Sequence, residues 1–223
     1  MIAPPPPTVT FETSDDLLEL ARGDAEHVRF VHVPERTYLA IDGTEPPGSP
    51  DYVSAIGTLY PVAYALHFAL RRRGVKARIG MLDGLYWLTP EEILDGEQPG
   101  LRADDDYHWR WQLLLAVPPE ASEVEVETAI HDATERRALP LVDRLHVVRW
   151  EEGDAAQLLH VGPYSAETPT IRRLHAAITD AGYEPHGQHH EVYLNNPRQV
   201  GEMRARTLVR RPIRLPGGAS ALD

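Results

Sequence analysis

The chain predicts an α+β fold built from two successive β-α-β-β modules with antiparallel sheets, related by a pseudo-two-fold and forming a ligand cleft. Three observations carry that prediction. Two segments, TYLAIDGTEPPGSP and QLLHVGPYSAETP, each run from an alternating apolar strand through a glycine to a proline that opens a helix. Two further strand-like runs follow each of those helices. Between the halves lies SEVEVETAIHDATERRA, a helix announced by a capping box at Ser122 and Glu125.

The PPPP run at 4–7 favours an extended lead-in, and the acidic stretch from Glu12 to Glu26 reads as a helix or solvated arm. Residues 1–29 are therefore expected to form a partly extended N-terminal arm without chemistry. From Phe30, FVHVPERTYLAIDG is β-branched and alternating, as a strand requires, and PPGSP ends it. Ser49 and Pro50 make an N-cap and N1 pair for a long helix. Ile56, Leu59, Ala63, Leu66 and Leu70 recur at helical spacing until RRRG closes it. Pro61 falls inside this helix and removes a backbone donor, so a kink or break is expected there.

The strands ARIGMLDGLYWL and DDYHWRWQLLLAVP come next, the second with Tyr107, Trp109, Trp111, Leu113 and Leu115 on one face. This places a first module at about 30–118 and a crossover helix at 122–138. After Pro140, LHVVRWEEG and DAAQLLHVGPYSAETP lead into a helix carrying Ile171, Leu174 and Ile178, which Gly182 stops. The runs HHEVYLNN and RTLVRRPIRL complete a second module at about 141–215, and 216–223 form a tail.

Composition narrows the function. With 223 residues and 42% hydrophobic content the chain buries a sizeable core. A net charge of −12 repels phosphate backbones, so no nucleic-acid partner is expected. The absence of cysteine removes disulfides and thiolate chemistry and fits a reducing cytoplasm, the expected location. The start lacks a basic n-region and an apolar h-region, and no later stretch approaches the roughly 18 apolar residues of a membrane span, so no membrane partner is expected. A monomer or weak dimer is the expected state.

Alternation along HHEVYLNN puts His189, Glu191 and Tyr193 on one strand face, with His190, Val192 and Leu194 on the other. A carboxylate, an imidazole and a phenol on one face suit a binding or catalytic acid if that face is desolvated. The same pattern also suits the solvent face of an antiparallel sheet. Asn195 and Asn196 read as turn residues.

Tyr86, Trp87, Trp109, Trp111 and Tyr164 are aromatic candidates for a pocket wall, with Asp83 beside them. Tryptophans alternating along one strand face normally build core. His186, His189 and His190 lie close in sequence, but strand neighbours point to opposite faces and no further ligand pattern completes a set, so no metal is expected. No dinucleotide or phosphate-loop fingerprint calls for a cofactor.

The segments LYPVAYAL, MLDGLYWL, YHWRW, QLLHVGPYSAETPTI and HHEVYLNNPR, in this order, resemble the GyrI-like small-molecule-binding family, over about Phe30 to Pro212. The resemblance implies a duplicated β-α-β-β (SHS2-type) fold with Glu191 as the acid of an aromatic-lined cleft that takes aromatic or cationic small molecules. It looks most like a stand-alone branch that hydrolyses cyclopropane-bearing, DNA-alkylating natural products. The resemblance thus implies detoxification, with Glu191 and Tyr193 catalytic and Asp83, Tyr86, Trp87, Trp109, Trp111, Tyr164 and His189 contacting the ligand. Asp83 and Tyr86 stand where that branch more often has a glutamate and a tryptophan, which implies a changed pocket shape. No helix-turn-helix pattern precedes residue 30, so the chain does not read as a direct transcription factor.

Overall fold

The computed structural model describes residues 9–87 and 110–217. In chain order its elements are β1 (Glu12–Thr13), α1 (Leu17–Leu20), β2 (Arg29–Val33), β3 (Arg36–Gly43), α2 (Pro50–Arg72), β4 (Leu82–Trp87) and β5 (Arg110–Ala116). They continue with α3 (Glu123–Arg136), β6 (His146–Trp150), β7 (Gly153–Val161), α4 (Thr168–Asp180), β8 (Glu184–Pro185), β9 (His189–Tyr193), α5 (Pro197–Val200) and β10 (Arg206–Arg214). The described residues gather into two compact units, one of 9–34 with 152–217 and one of 35–87 with 110–151. The class is α+β; among the described residues β1 and β2 pair in parallel, and the other pairings set out below are antiparallel.

In the unit of 35–151, β5 lies between β4 and β3, and β3 pairs on its other edge with β6. Helix α2 opens at Ser49, whose hydroxyl accepts the Tyr52 N–H, and turns Leu59, Val62, Leu66 and Leu70 into the core. Ser122 and Glu125 satisfy each other's backbone N–H groups and start α3, as the capping box predicts. Residues Tyr107 and Trp109 lie outside the described residues.

In the unit of 9–34 and 152–217, β10 lies between β9 and β7, and β7 pairs on its other edge with β2. One sheet face is closed by Ile171, Leu174 and Ile178 of α4, which pack on Ala156, Leu158, Val209 and Ile213. The opposite face carries Val31, Val33 and Ala155 beneath Leu20 of α1.

Four expectations need correction. FVHVPERTYLAIDG is not one strand: Pro34 has no donor for a ladder and separates β2 from β3, which join different units. LHVVRWEEG and DAAQLLHV supply β6 and β7, with Glu151 and Glu152 between them. Thus β2 pairs with β7, and β6 pairs with β3. Cross-strand pairing is long-range, and local periodicity carries no record of it.

Residues 9–29 are not a loose arm. β1 pairs in parallel with β2, Arg29 donates to the Glu12 carboxylate, and Leu20 is buried. Helix α2 runs through Pro61 without a break. The residue four back, whose carbonyl a proline ring approaches, is Gly57, the least crowded residue available.

The fourth correction concerns hydropathy. By length and composition α2 could cross a membrane, its 18-residue window having a mean hydropathy of 1.4. One side of it carries the core just described, and Tyr60, Tyr64 and Phe68 form a ring ladder on the other, with Tyr64 and Phe68 exposed.

Candidate functional site

Strand β9 makes the alternation of HHEVY chemically explicit. Glu191 is only 12% exposed at its side chain, and its two carboxylate oxygens are held separately. His189 Nε2 lies 3.0 Å from Oε1, and the Tyr193 hydroxyl donates to Oε2 at 2.8 Å. Tyr164, in the turn before α4, sets its ring edge-on to Tyr193 at 5.8 Å. Four sequence candidates, His189, Glu191, Tyr193 and Tyr164, are therefore brought together on one sheet face. Their cross-strand partners Thr207 and Val209 are buried, which answers the choice between solvent face and buried face.

A fifth group completes the cluster. Glu167, immediately before α4, is 4% exposed, and its carboxyl lies close enough to that of Glu191 for each to act on the other's ionisation. Burial and the neighbouring Glu191 charge push its carboxyl up to about 10, so it holds a proton at neutral pH. Burial also works against ionisation of Glu191, but the bonds from His189 and Tyr193 outweigh it and hold that carboxyl below its ordinary range. Neighbouring carboxyl groups, one protonated and one ionised, are the pattern of an acid and a base set apart by environment. Glu167 sits within QLLHVGPYSAETP, where the following Thr-Pro reads only as helix punctuation, and its nearness to Glu191 arises across the sheet.

Behind this face, His190 turns the other way. Its Nδ1 lies 2.8 Å from Glu152 Oε1, and Arg210 donates to Glu152 Oε2 at 2.9 Å and to Gln157 at 2.9 Å. All of these are buried, and the charges outweigh the burial penalty and keep Glu152 below the ordinary carboxylate range. The adjacent histidines thus serve different glutamates on opposite faces, as strand geometry requires of neighbours. Asn195 and Asn196 act as turn residues, bonding Arg206 N and Arg198 N, and Arg210 and Arg214 pair with the chain's own acids.

The remaining candidates belong to the other unit and do not form one wall. Register places Tyr86 opposite Trp111, whereas Asp83 and Trp87 fall on the alternate face with Leu85 and Leu114. Trp111 has no exposed surface. Its Nε1 donates to the Glu45 carbonyl at 2.6 Å, and its ring lies over Gly43, where a Cβ would come within 2.0 Å. Tyr86 is also buried and shares a 2.6 Å hydrogen bond with Tyr52. Trp111 and Tyr86 are core side chains rather than an open aromatic surface. Asp83 is buried and Trp87 half-buried.

The likeness to known proteins runs through the Glu167 and Glu191 cluster. Residues 117–214 match the GyrI-like small molecule binding domain. The GyrI-like segment takes in α3, β6 and the whole of β7 to β10, hence Glu152, Glu167, His189, Glu191 and Tyr193. The fold is similar to that of an uncharacterized conserved protein from Listeria innocua, at 25% identity over 88% of this chain and 96% of that one, with a TM-score of 0.77. A hydrolase from Listeria innocua shares the fold at 24% identity, covering 89% of this chain and 96% of its own, with a TM-score of 0.72. So does the C-terminal domain of EcmrR, at 12% identity over 85% of this chain and 98% of that domain, with a TM-score of 0.52. No curated protein matches the chain.

Proposed function

We propose that this GyrI-like chain is a small-molecule hydrolase in which Glu191 is the general base and Glu167 the general acid. The observation that carries this reading is the Glu191 carboxylate, 12% exposed and held by His189 and Tyr193, with the buried carboxyl of Glu167 beside it. The substrate class implied by the family resemblance is a cyclopropane-bearing, DNA-alkylating natural product whose strained ring is activated by a conjugated carbonyl. The fold shared with a hydrolase from Listeria innocua is compatible with it.

In the reaction, Glu191 takes a proton from water as the water oxygen bonds to the cyclopropyl carbon. The strained carbon–carbon bond breaks and its electron pair moves into the conjugated carbonyl, producing a phenolate oxygen. Glu167 delivers its proton to that oxygen. Proton transfer from Glu191 to Glu167 restores the starting state. His189 and Tyr193 orient the Glu191 carboxylate, and Tyr164 supplies exposed ring surface beside it for a flat ligand.

The experiment is incubation with such a cyclopropane-bearing compound, followed by ultraviolet spectroscopy and product mass. Wild type should add one water, and Glu191→Gln should lose at least about 100-fold in rate, the scale of general acid–base catalysis. Ligand binding without added water would instead identify a sequestering protein that uses the same acid.

A further inference from the structure

The segment between β7 and α4 carries both Tyr164 and Glu167, and its two ends are tied to one buried side chain. His160, near the end of β7, is 5% exposed. Its Nε2 lies 3.1 Å from the Pro163 carbonyl oxygen at the start of the segment, and its Nδ1 lies 3.0 Å from Thr170 Oγ1 in the first turn of α4. A carbonyl oxygen only accepts, so Nε2 carries the proton, and in that tautomer Nδ1 accepts from the Thr170 hydroxyl. Pro163 O also takes the Ala166 N–H, which closes the short turn in which Tyr164 sits.

Register adds a second relation. His160 stands opposite Thr207, and Thr207 stands opposite Tyr193, so the three occupy one row across β7, β10 and β9. The imidazole therefore begins from the same sheet face as Glu191 and reaches over to the loop that covers it.

We infer that His160 is a positioning residue: its two hydrogen bonds fix the 163–170 segment so that the Tyr164 ring meets Tyr193 and the Glu167 side chain meets Glu191. It touches no reacting atom and acts through the segment. The chemical role of Glu167 rests on the carboxyl-pair reading above, whereas the placement of Tyr164 does not. The charged and titratable groups on this side include Glu191, His189 and Tyr193 from β9, Arg211 from β10 and His175 from α4.

The test is NMR of full-length wild type, His160→Ala, His160→Gln and Thr170→Val. It reads the proton contacts between the Tyr164 and Tyr193 rings and the titration of the Glu167 carboxyl carbon, assigned as the resonance lost in Glu167→Gln. In His160→Ala the ring contacts should vanish and Glu167 should titrate at least one pH unit nearer the ordinary carboxylate range. Glutamine presents a donor and an acceptor at similar spacing, so His160→Gln should restore both. Persistence of the ring contacts in folded His160→Ala, or equal loss in His160→Ala and His160→Gln, would overturn the assignment. If His160→Ala fails to fold, Thr170→Val removes one bond alone and is judged by the same contacts. Ordinary titration of Glu167 in wild type would defeat the carboxyl-pair reading while the ring contacts still decide the role of His160.

Discussion

Glu167, 4% exposed, lies beside the Glu191 carboxylate, and burial together with that neighbouring charge pushes the Glu167 carboxyl up to about 10. An isolated buried carboxylate is costly, and a second would be repelled by the first. Keeping Glu167 protonated removes that repulsion. His189 and Tyr193 then satisfy the ionised partner.

This arrangement links stability to pH with a definite sign. The folded-state carboxyl of Glu167 lies far above its unfolded value of 4.5, so its contribution is full below about pH 4.5 and falls as pH rises toward about 10. The slope is at most about 1.4 kcal/mol per pH unit. Glu167→Gln mimics the protonated form without proton uptake, so its Tm advantage over wild type should grow between pH 5 and pH 9. A pH-independent Tm difference between the two proteins would contradict this.

On the opposite face, removing Glu152 leaves Arg210 and His190 buried beside the lost charge. Glu152→Ala should lower stability by about 3–5 kcal/mol, read as a shift of the urea midpoint. The Glu152 carboxyl is depressed in the fold, so this contribution is present above the unfolded value of 4.5 and is lost as pH falls through the folded one. The difference between wild type and Glu152→Gln should therefore shrink in acid.

Gly43 is required by contact. A Cβ there would lie 2.0 Å from the Trp111 ring, which is fully buried and cannot swing outward. Gly43→Ala should cost about 1–3 kcal/mol and alter the near-ultraviolet circular dichroism of that tryptophan. An unchanged spectrum and midpoint would show that the ring is free to move.

Pro61 interrupts the hydrogen-bond ladder of a helix that nevertheless continues to Arg72. Pro61→Ala restores a backbone donor facing the Gly57 carbonyl and should raise stability by up to about 3 kcal/mol in thermal melts. A lowered Tm would mean that the ring's packing outweighs the missing bond.

Much of the local architecture was legible because its causes are local. Ser49, Pro50 and the Ser122–Glu125 box announce α2 and α3 through groups that bond within one turn. The two-residue period of β9 likewise places His189, Glu191 and Tyr193 on one face without reference to any other strand. Side-chain type and short-range alternation, then, were determined by the sequence alone.

Other features depend on which strands meet. The pairing of β2 with β7 and of β6 with β3, the burial of Trp111 over Gly43, and the split of Asp83 and Trp87 from Tyr86 and Trp111 all follow from pairing and register. The partner of Glu191 is of this kind too: Glu167 reads as helix punctuation until the sheet brings it against a carboxylate. Tertiary structure decided the chemistry of the site because a carboxyl's protonation depends on the charges and water around it, and those are set by residues distant in the chain.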